Sequence, residues 1–320
     1  MKLEKYRENT LDAAYNRKVI LDTDMANEVD DIFALSYLLG SLEWVKLEAI
    51  TIAPFSDSPY TKTACLEEGT ELSCQLTEKI LALAGKEEYK SVIRPGAVEY
   101  FRQGSSSNEA VEKIIEVGLK NEKTTILAIG AITNVALAIL REPRIREHIE
   151  VIWLGCDSIM YSQSEEYNFR QDIDAVRMVY ESGINLTVVP ARNVASNLVT
   201  TTYELKHYLG GTVLGDYLVS CLEDFKQKVC KPEEHIGYSK VLWDLGVIAY
   251  IVNPNWFVVK EISCPRFLDD GTIIYTEGRH TVRYVVDLFR NPIMKDFFEK
   301  VSRLAEKNYF YCRQTTKERK

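Results

Sequence analysis

Through its first 200 residues the chain alternates short β-branched apolar runs with stretches of helical periodicity, a pattern that few architectures accommodate. Strands are expected at Lys18–Leu21, Leu47–Ile52, Thr124–Ile129, Val151–Leu154 and Leu186–Val189. Between them, helices are expected at Asp31–Leu39 before Gly40, Glu71–Ala84 before Gly85, Thr133–Arg141 before Pro143, and Asp174–Glu181. In the first of these, Ile32, Leu35, Leu38 and Leu39 recur at the spacing of one helical face. The alternation predicts an α/β fold: an open, mainly parallel sheet with helices on both faces. Beyond residue 200 the pattern loosens. Glu204–Lys228 and Trp243–Ile251 read as helices, and Phe257–Ile262, Thr272–Tyr275 and Val282–Leu288 as a small antiparallel extension.

No internal repeat, linker or composition break divides the 320 residues. One domain over residues 18–312 is therefore expected, with an N-terminal extension at 1–17 and a solvated tail at 313–320. The formal net charge of −8 argues against coating nucleic acid, which needs a positive surface. The seven cysteines lack C-x-x-C spacing, and the four histidines do not cluster with them. Reduced thiols are expected rather than a disulfide framework or a zinc site. The polar N-terminus has no apolar signal core, and no stretch approaches the roughly 20 apolar residues of a membrane span. A cytoplasmic protein engaging neither nucleic acid nor membrane is expected.

The segment Val19-Ile-Leu-Asp22-Thr-Asp24-Met-Ala-Asn27-Glu28-Val-Asp30-Asp31 carries the most chemistry, with five carboxylates inside ten residues. Helix capping and the helix dipole account for one or two of them. Five would repel one another: two unit charges about 4 Å apart cost roughly 4 kcal/mol at an effective dielectric near 20. Such a cluster must spread into water, hold protons or bind a cation. The carboxyl ends of the strands are also where an open α/β sheet places its ligands. Every candidate ligand is oxygen, so calcium or magnesium is expected ahead of zinc.

A strand followed by D-x-D has two familiar readings. One is a haloacid-dehalogenase-like phosphatase, whose further Ser/Thr, Lys and acidic pair cannot be placed in this chain. The other rests on Asp22-Thr-Asp24 and Asp30-Asp31-Ile-Phe-Ala34-Leu35. These resemble the N-terminal signature of the inosine-uridine-preferring nucleoside hydrolase family, in a divergent D-T-D-x-x-N-E-x-D-D form with a loop two residues longer. Further segments resemble the same family in order: Ile129-Gly130-Ala-Ile-Thr133-Asn134, Glu166-Tyr167-Asn168 with Asp172, Leu242-Trp243-Asp244, and Gly278-Arg279-His280. The resemblance covers roughly residues 18 to 290 and implies a nucleoside-hydrolase-like, Rossmann-like sheet.

The resemblance further implies a metal-dependent hydrolase, with Ca2+ preferred to Mg2+, that cleaves ribonucleosides to ribose and free base. It also implies a homodimer or homotetramer working in purine or pyrimidine salvage. On this likeness Asp24, Asp31, Asp244 and the Ile129 carbonyl hold the metal, and Asp24 is also the catalytic base. Asp22 orients its neighbours from behind, while Asp30, Asn27, Glu166, Asn168, Trp243 and His280 bind substrate. Glu166 and Asn168, two apart on an extended stretch, would project to one side and take adjacent sugar hydroxyls. Carboxylates suit the oxocarbenium-like sugar through which such cleavage passes.

Three positions depart from the family pattern. Trp243 stands where several members carry the histidine that protonates the leaving base; it is suited to ring stacking, and His280 becomes the replacement donor. Ala53-Pro54-Phe55-Ser56-Asp57 stands where an asparagine contacts ribose in the family, so that contact is expected to be either absent or moved to Asn27. Met160 stands at a second substrate-binding asparagine. These departures make a nucleoside- or sugar-binding homologue without turnover the main alternative, ahead of the phosphatase. Base preference is expected to lie in the loops around residues 56–78 and 205–240.

Overall fold

The computed structural model describes residues 17–102, 107–120 and 122–317, with 305–317 described by backbone alone. In chain order the strands are β1 (Arg17–Thr23), β2 (Val45–Ile52), β3 (Ile93–Arg94), β4 (Thr124–Ala128), β5 (Ile149–Leu154) and β6 (Asn185–Val189). There follow β7 (Val199–Thr200), β8 (Lys240–Val241), β9 (Phe257–Ser263), β10 (Arg266–Phe267), β11 (Ile273–Ile274) and β12 (Thr281–Leu288). The helices are α1 (Asp30–Gly40), α2 (Leu66–Leu83), α3 (Glu109–Gly118), α4 (Thr133–Arg141) and α5 (Tyr167–Gln171). They continue with α6 (Ile173–Glu181), α7 (Thr202–Leu209), α8 (Val213–Val229), α9 (Leu245–Val252) and α10 (Arg290–Lys317).

Eight strands form one sheet in the order β3-β2-β1-β4-β5-β6-β12-β9. Every pairing is parallel except that of β12 with β9. The chain winds outward from β1 through β2 to β3, then returns to place β4 on the other side of β1. The crevice beyond the carboxyl ends of β1 and β4 is therefore the topological switch point, where such sheets bind ligands.

Alternation along the strands sends neighbouring side chains to opposite faces. Leu21, Ile50, Leu127, Ile152 and Val189 enter one buried cluster together with α1, α9 and the start of α10. Ile20, Ala49, Ile126, Val151 and Val188 enter the other, against α3, α4 and α6. Both faces are covered, which is why these strands read as nearly continuous apolar runs. Burying each such side chain contributes about 1.5–3 kcal/mol. On α1, Phe33 and Tyr37 pack against Phe297 of α10, and the Tyr37 hydroxyl donates to Asp296.

Several expectations are corrected. The stretch 204–228 is two helices, because Gly210 ends α7, Gly211 takes φ +87°, and the Thr212 hydroxyl caps α8 by accepting from the Gly215 N–H. Thr272–Tyr275 does not extend the main sheet; β11 pairs with β10 in a separate two-stranded ribbon. β12 lies parallel to β6, so β9 alone makes the antiparallel edge. The backbone of α10 runs through Lys317, which puts the boundary expected at 312 inside a helix. Residues 1–16 of the expected extension and 318–320 of the expected tail lie outside the described residues. Among the described residues six cysteines are free, and no helix is long and apolar enough to cross a membrane.

Candidate active site

The site begins where β1 leaves the sheet. Asp22 is fully buried, and its Oδ1 accepts from Thr51 Oγ1 at 2.6 Å and Asn134 Nδ2 at 2.9 Å. It thereby ties β1 to β2 and α4 beneath the cleft. Burial pushes its carboxyl up to about 6, against the lowering effect of both hydrogen bonds. Asn134 also donates to the Ile52 carbonyl and accepts from the Ala97 N–H, which makes it a brace between loops. Asp24 follows, 1% exposed, and the Asn27 N–H donates to its carbonyl at 2.7 Å to close a turn. Asn27 Nδ2 holds Asp24 Oδ2 at 2.9 Å. Burial raises the Asp24 carboxyl to about 8 in spite of that bond, and the Asp30 charge adds to the rise. Gly130, just past β4, allows this approach: a Cβ there would stand 3.0 Å from Asp24 Cγ and 2.8 Å from Ala53 Cβ.

The turn feeds α1, whose first two residues are Asp30 and Asp31, both buried. Thr23 Oγ1 donates to Asp31 Oδ1 at 2.5 Å. Asp244 arrives from the other end of the chain at the N-cap position of α9, 3% exposed, yet its side chain makes no capping hydrogen bond. It is therefore neither a hydrogen-bonding helix cap nor a surface acid. One carboxylate oxygen each of Asp30, Asp31 and Asp244 lie within 4.8 Å of one another. Burial first, then the neighbouring aspartates, raise Asp31 and Asp244 well above the usual carboxylate range. Three buried acids this close cannot all be charged unless a cation balances them.

Ile129 lines the cleft, and its carbonyl accepts from Asn168 Nδ2 at 3.1 Å, with one lone pair left over. Asn168 Nδ2 also donates to the Leu154 carbonyl, so it spans the exits of β4 and β5. Glu166 is not on an extended stretch with Asn168, as the sequence had implied. It is the N-cap of the short α5, and its carboxylate accepts from the N–H groups of Asn168, Phe169 and Cys156 at 2.8–3.1 Å. Those bonds place both side chains on the cleft wall. Burial lifts the Glu166 carboxyl to about 8, against its three backbone donors.

The cleft, about 230 Å³, is lined by Asp24, Asn27, Asp30, Asp31, Ile129, Glu166, Asn168, Trp243 and Asp244, all nine anticipated from sequence. His280 is not among them. Its Nε2 lies 2.8 Å from the Tyr180 carbonyl, at the start of β12. Because β12 runs parallel to β6, that start lies at the amino edge of the sheet, opposite the carboxyl ends that carry the cleft. Met160 is 80% exposed and does not line the cleft either. Sequence reasoning missed Asp157, Arg192, Tyr60, Tyr167 and the part played by Glu28. Arg192 Nε donates to buried Asp157 at 2.6 Å, and its guanidinium stacks on Tyr161 with 4.4 Å to the ring centroid. Asp157 and Arg192 each follow the carboxyl end of a strand within three residues, the position at which such sheets present ligand-binding groups.

A switch-point cleft floored by buried aspartates and walled by Glu166, Asn168 and Trp243 can take a polyol with a flat ring attached. The chain matches the family model described as inosine-uridine preferring nucleoside hydrolase over residues 19–295. It belongs to that family. An inosine-uridine preferring nucleoside hydrolase of Leishmania major is 26% identical over 92% of this chain and 95% of its own length. The fold is similar to a purine-preferring ribonucleoside hydrolase from Gardnerella vaginalis, with a TM-score of 0.75, 22% identity, and coverage of 90% of this chain and 99% of that one. A plant nucleoside hydrolase gives a TM-score of 0.73 at 19% identity, over 89% and 99% of the two chains. Members of this nucleoside hydrolase family are N-ribosyl hydrolases and depend on a metal. The phosphatase alternative falls with this membership.

Proposed function

We propose that the cleft hydrolyses the C1′–N bond of ribonucleosides, with Asp24 as the base that takes a proton from the attacking water. The observation that carries this reading is the convergence of Asp24, Asp30 and Asp31 with Asp244, some 200 residues distant, in one buried cleft. Water forms the new bond to C1′, the base leaves with the C1′–N electron pair, and the sugar passes through an oxocarbenium-like cation. Anionic oxygens around the sugar favour that cation over the neutral substrate. Asn27 supports a sugar contact: its Nδ2 is committed to Asp24, and its buried Oδ1 has no hydrogen-bond partner, so it offers an acceptor to a hydroxyl. Asp30, Glu166 and Asn168 are assigned to sugar hydroxyls, and Asp22 to orienting the residues above it.

The donor set fits a hard divalent cation, since every buried candidate ligand is oxygen and three acidic oxygens crowd one point. Asp24, Asp31, Asp244 and the Ile129 carbonyl are the proposed ligands, with Asp30 near enough to join them. When bound, the ion would acidify water and anchor the sugar hydroxyls. We assign calcium ahead of magnesium. A homodimer or homotetramer, a cytoplasmic location and a role in nucleoside salvage are likewise part of the proposal, on family resemblance. The deciding assay is ribose release from a panel of purine and pyrimidine nucleosides, with and without chelator. Binding of nucleoside with no release would assign the chain to ligand binding instead.

Trp243 is proposed to stack on the departing base. Trp243→Ala is expected to lower kcat/KM for nucleosides by about 5- to 150-fold, because a base stacked on an aromatic ring is worth about 1–3 kcal/mol. Steady-state kinetics check this, and a change below twofold would remove Trp243 from the base site.

A further inference from the structure

Glu28 occupies the part of the acidic loop that exceeds the usual family length, and it faces the cleft beside Tyr60 and Trp243. Its Oε1 lies 2.5 Å from Lys240 Nζ. Lys240 is only 5% exposed and does not itself line the cleft. Its Nζ donates to the Val241 carbonyl at 2.6 Å and stands 5.3 Å from the Phe225 ring centroid and 5.9 Å from that of Trp243. Tyr60 packs on the same Phe225, with ring centroids 5.1 Å apart. Glu28, Tyr60 and Trp243 thus form one wall of the cleft, backed by the Lys240 ammonium and the Phe225 ring. Taking a lysine out of water is costly, and an ion pair of this kind holds its partner in one geometry. What Lys240 does for the cleft is to pin the Glu28 carboxylate at the edge of an aromatic surface.

The aromatic rings of that wall suit a flat nucleobase, and a carboxylate can only accept hydrogen bonds. Both loops expected to set base preference contribute here, Tyr60 from the first and Phe225 and Lys240 from the second. We propose that the Glu28–Lys240 pair is the specificity determinant for the base and selects bases that present a ring N–H, as guanine, hypoxanthine and uracil do. This inference rests on the hydrolase reading above. Glu28 touches the base; Lys240 is a positioning residue that acts through Glu28.

The test compares guanosine and inosine with purine riboside, which has the same ring system and no N–H donor, and with p-nitrophenyl riboside, which has no base. In Glu28→Gln, Lys240 claims the new amide carbonyl and leaves an NH2 toward the cleft, a donor facing a donor. The kcat/KM ratio of guanosine or inosine to purine riboside is then expected to fall about 10- to 100-fold, the scale of a lost hydrogen bond to a charged group. Lys240→Met is expected to shift the ratio in the same direction and Lys240→Arg to restore it, which a merely structural lysine would not do. An unchanged ratio, or an equal loss on all four substrates, overturns the proposal. If Lys240→Met fails to fold, the isosteric Glu28→Gln decides alone. A wild-type protein that binds these nucleosides yet releases ribose from none of them overturns the hydrolase reading itself, and this inference with it.

Discussion

Asp24→Ala is expected to lower ribose release by about 10²- to 10⁴-fold, the usual contribution of a positioned general base. Three local facts support assigning Asp24 that role. It is the first residue past β1, it is almost wholly buried at the cleft floor, and Asn27 fixes one of its oxygens. Asp24→Asn keeps the shape and the partner while removing the basicity, so it should lose activity on the same scale. The stability signature runs the other way. Removing a buried carboxyl that repels Asp31 and Asp244 relieves strain in the metal-free chain, so the melting temperature of the chelator-treated variants should be no lower than that of the parent. Ribose assays, nucleoside titration and thermal melts check the three parts. A loss under tenfold in a variant that still binds nucleoside would remove Asp24 from catalysis.

Chelation is expected to abolish turnover and to make the protein's stability fall as pH rises from about 4 to 8, in a chain whose carboxylates titrate near 4 when unfolded. In the metal-free fold the carboxyl of Asp22 is raised to about 6 and that of Asp24 to about 8, while Asp31 and Asp244 are raised well above their ordinary value. The folded state therefore binds more protons than the unfolded one between these limits. The contribution of each group is fully present below the unfolded value and is lost as pH climbs through the folded one. A divalent cation reverses the sign, because it binds the deprotonated cluster, so its stabilising increment should grow over the same window. At a free concentration of 100 times the dissociation constant, that increment is about 2.7 kcal/mol, several degrees in melting temperature for a chain of this size. Melts at pH 5, 6, 7 and 8 with chelator or saturating calcium measure both trends. A chelated protein whose melting temperature is level or rises from pH 5 to 8 would contradict the burial of this acidic cluster.

Legibility differed between element and site. Strands β1, β2, β4, β5 and β6 and helices α1, α2, α4 and α6 follow the apolar periodicity of the sequence within about five residues, because a strand or helix must bury whichever side chains recur on its face; β3, α3 and α5 were not anticipated. The acidic turn after β1 was legible for the same local reason: no helix N-terminus needs five carboxylates. Where local logic ran out, the reading went astray. The periodicity of 204–228 carried across Gly210 and Gly211 as though they were ordinary helix residues, and two residues at alternating spacing placed Glu166 and Asn168 on an extended stretch when Glu166 caps a helix.

The amino-acid order by itself determined most of the elements through β6, the acidic loop, the family and nine of the residues that line the cleft. Each of these depends on neighbours a few positions apart or on motifs in a fixed succession. Tertiary structure alone decided that Asp30 completes the acidic triad with Asp31 and Asp244, that Lys240 reaches Glu28, that Arg192 closes on Asp157, and that His280 stands at the opposite edge of the sheet. Those distances follow from strand order and direction. Strand order and direction in turn follow from packing two apolar faces of one twisted sheet against helices that lie far apart in the chain.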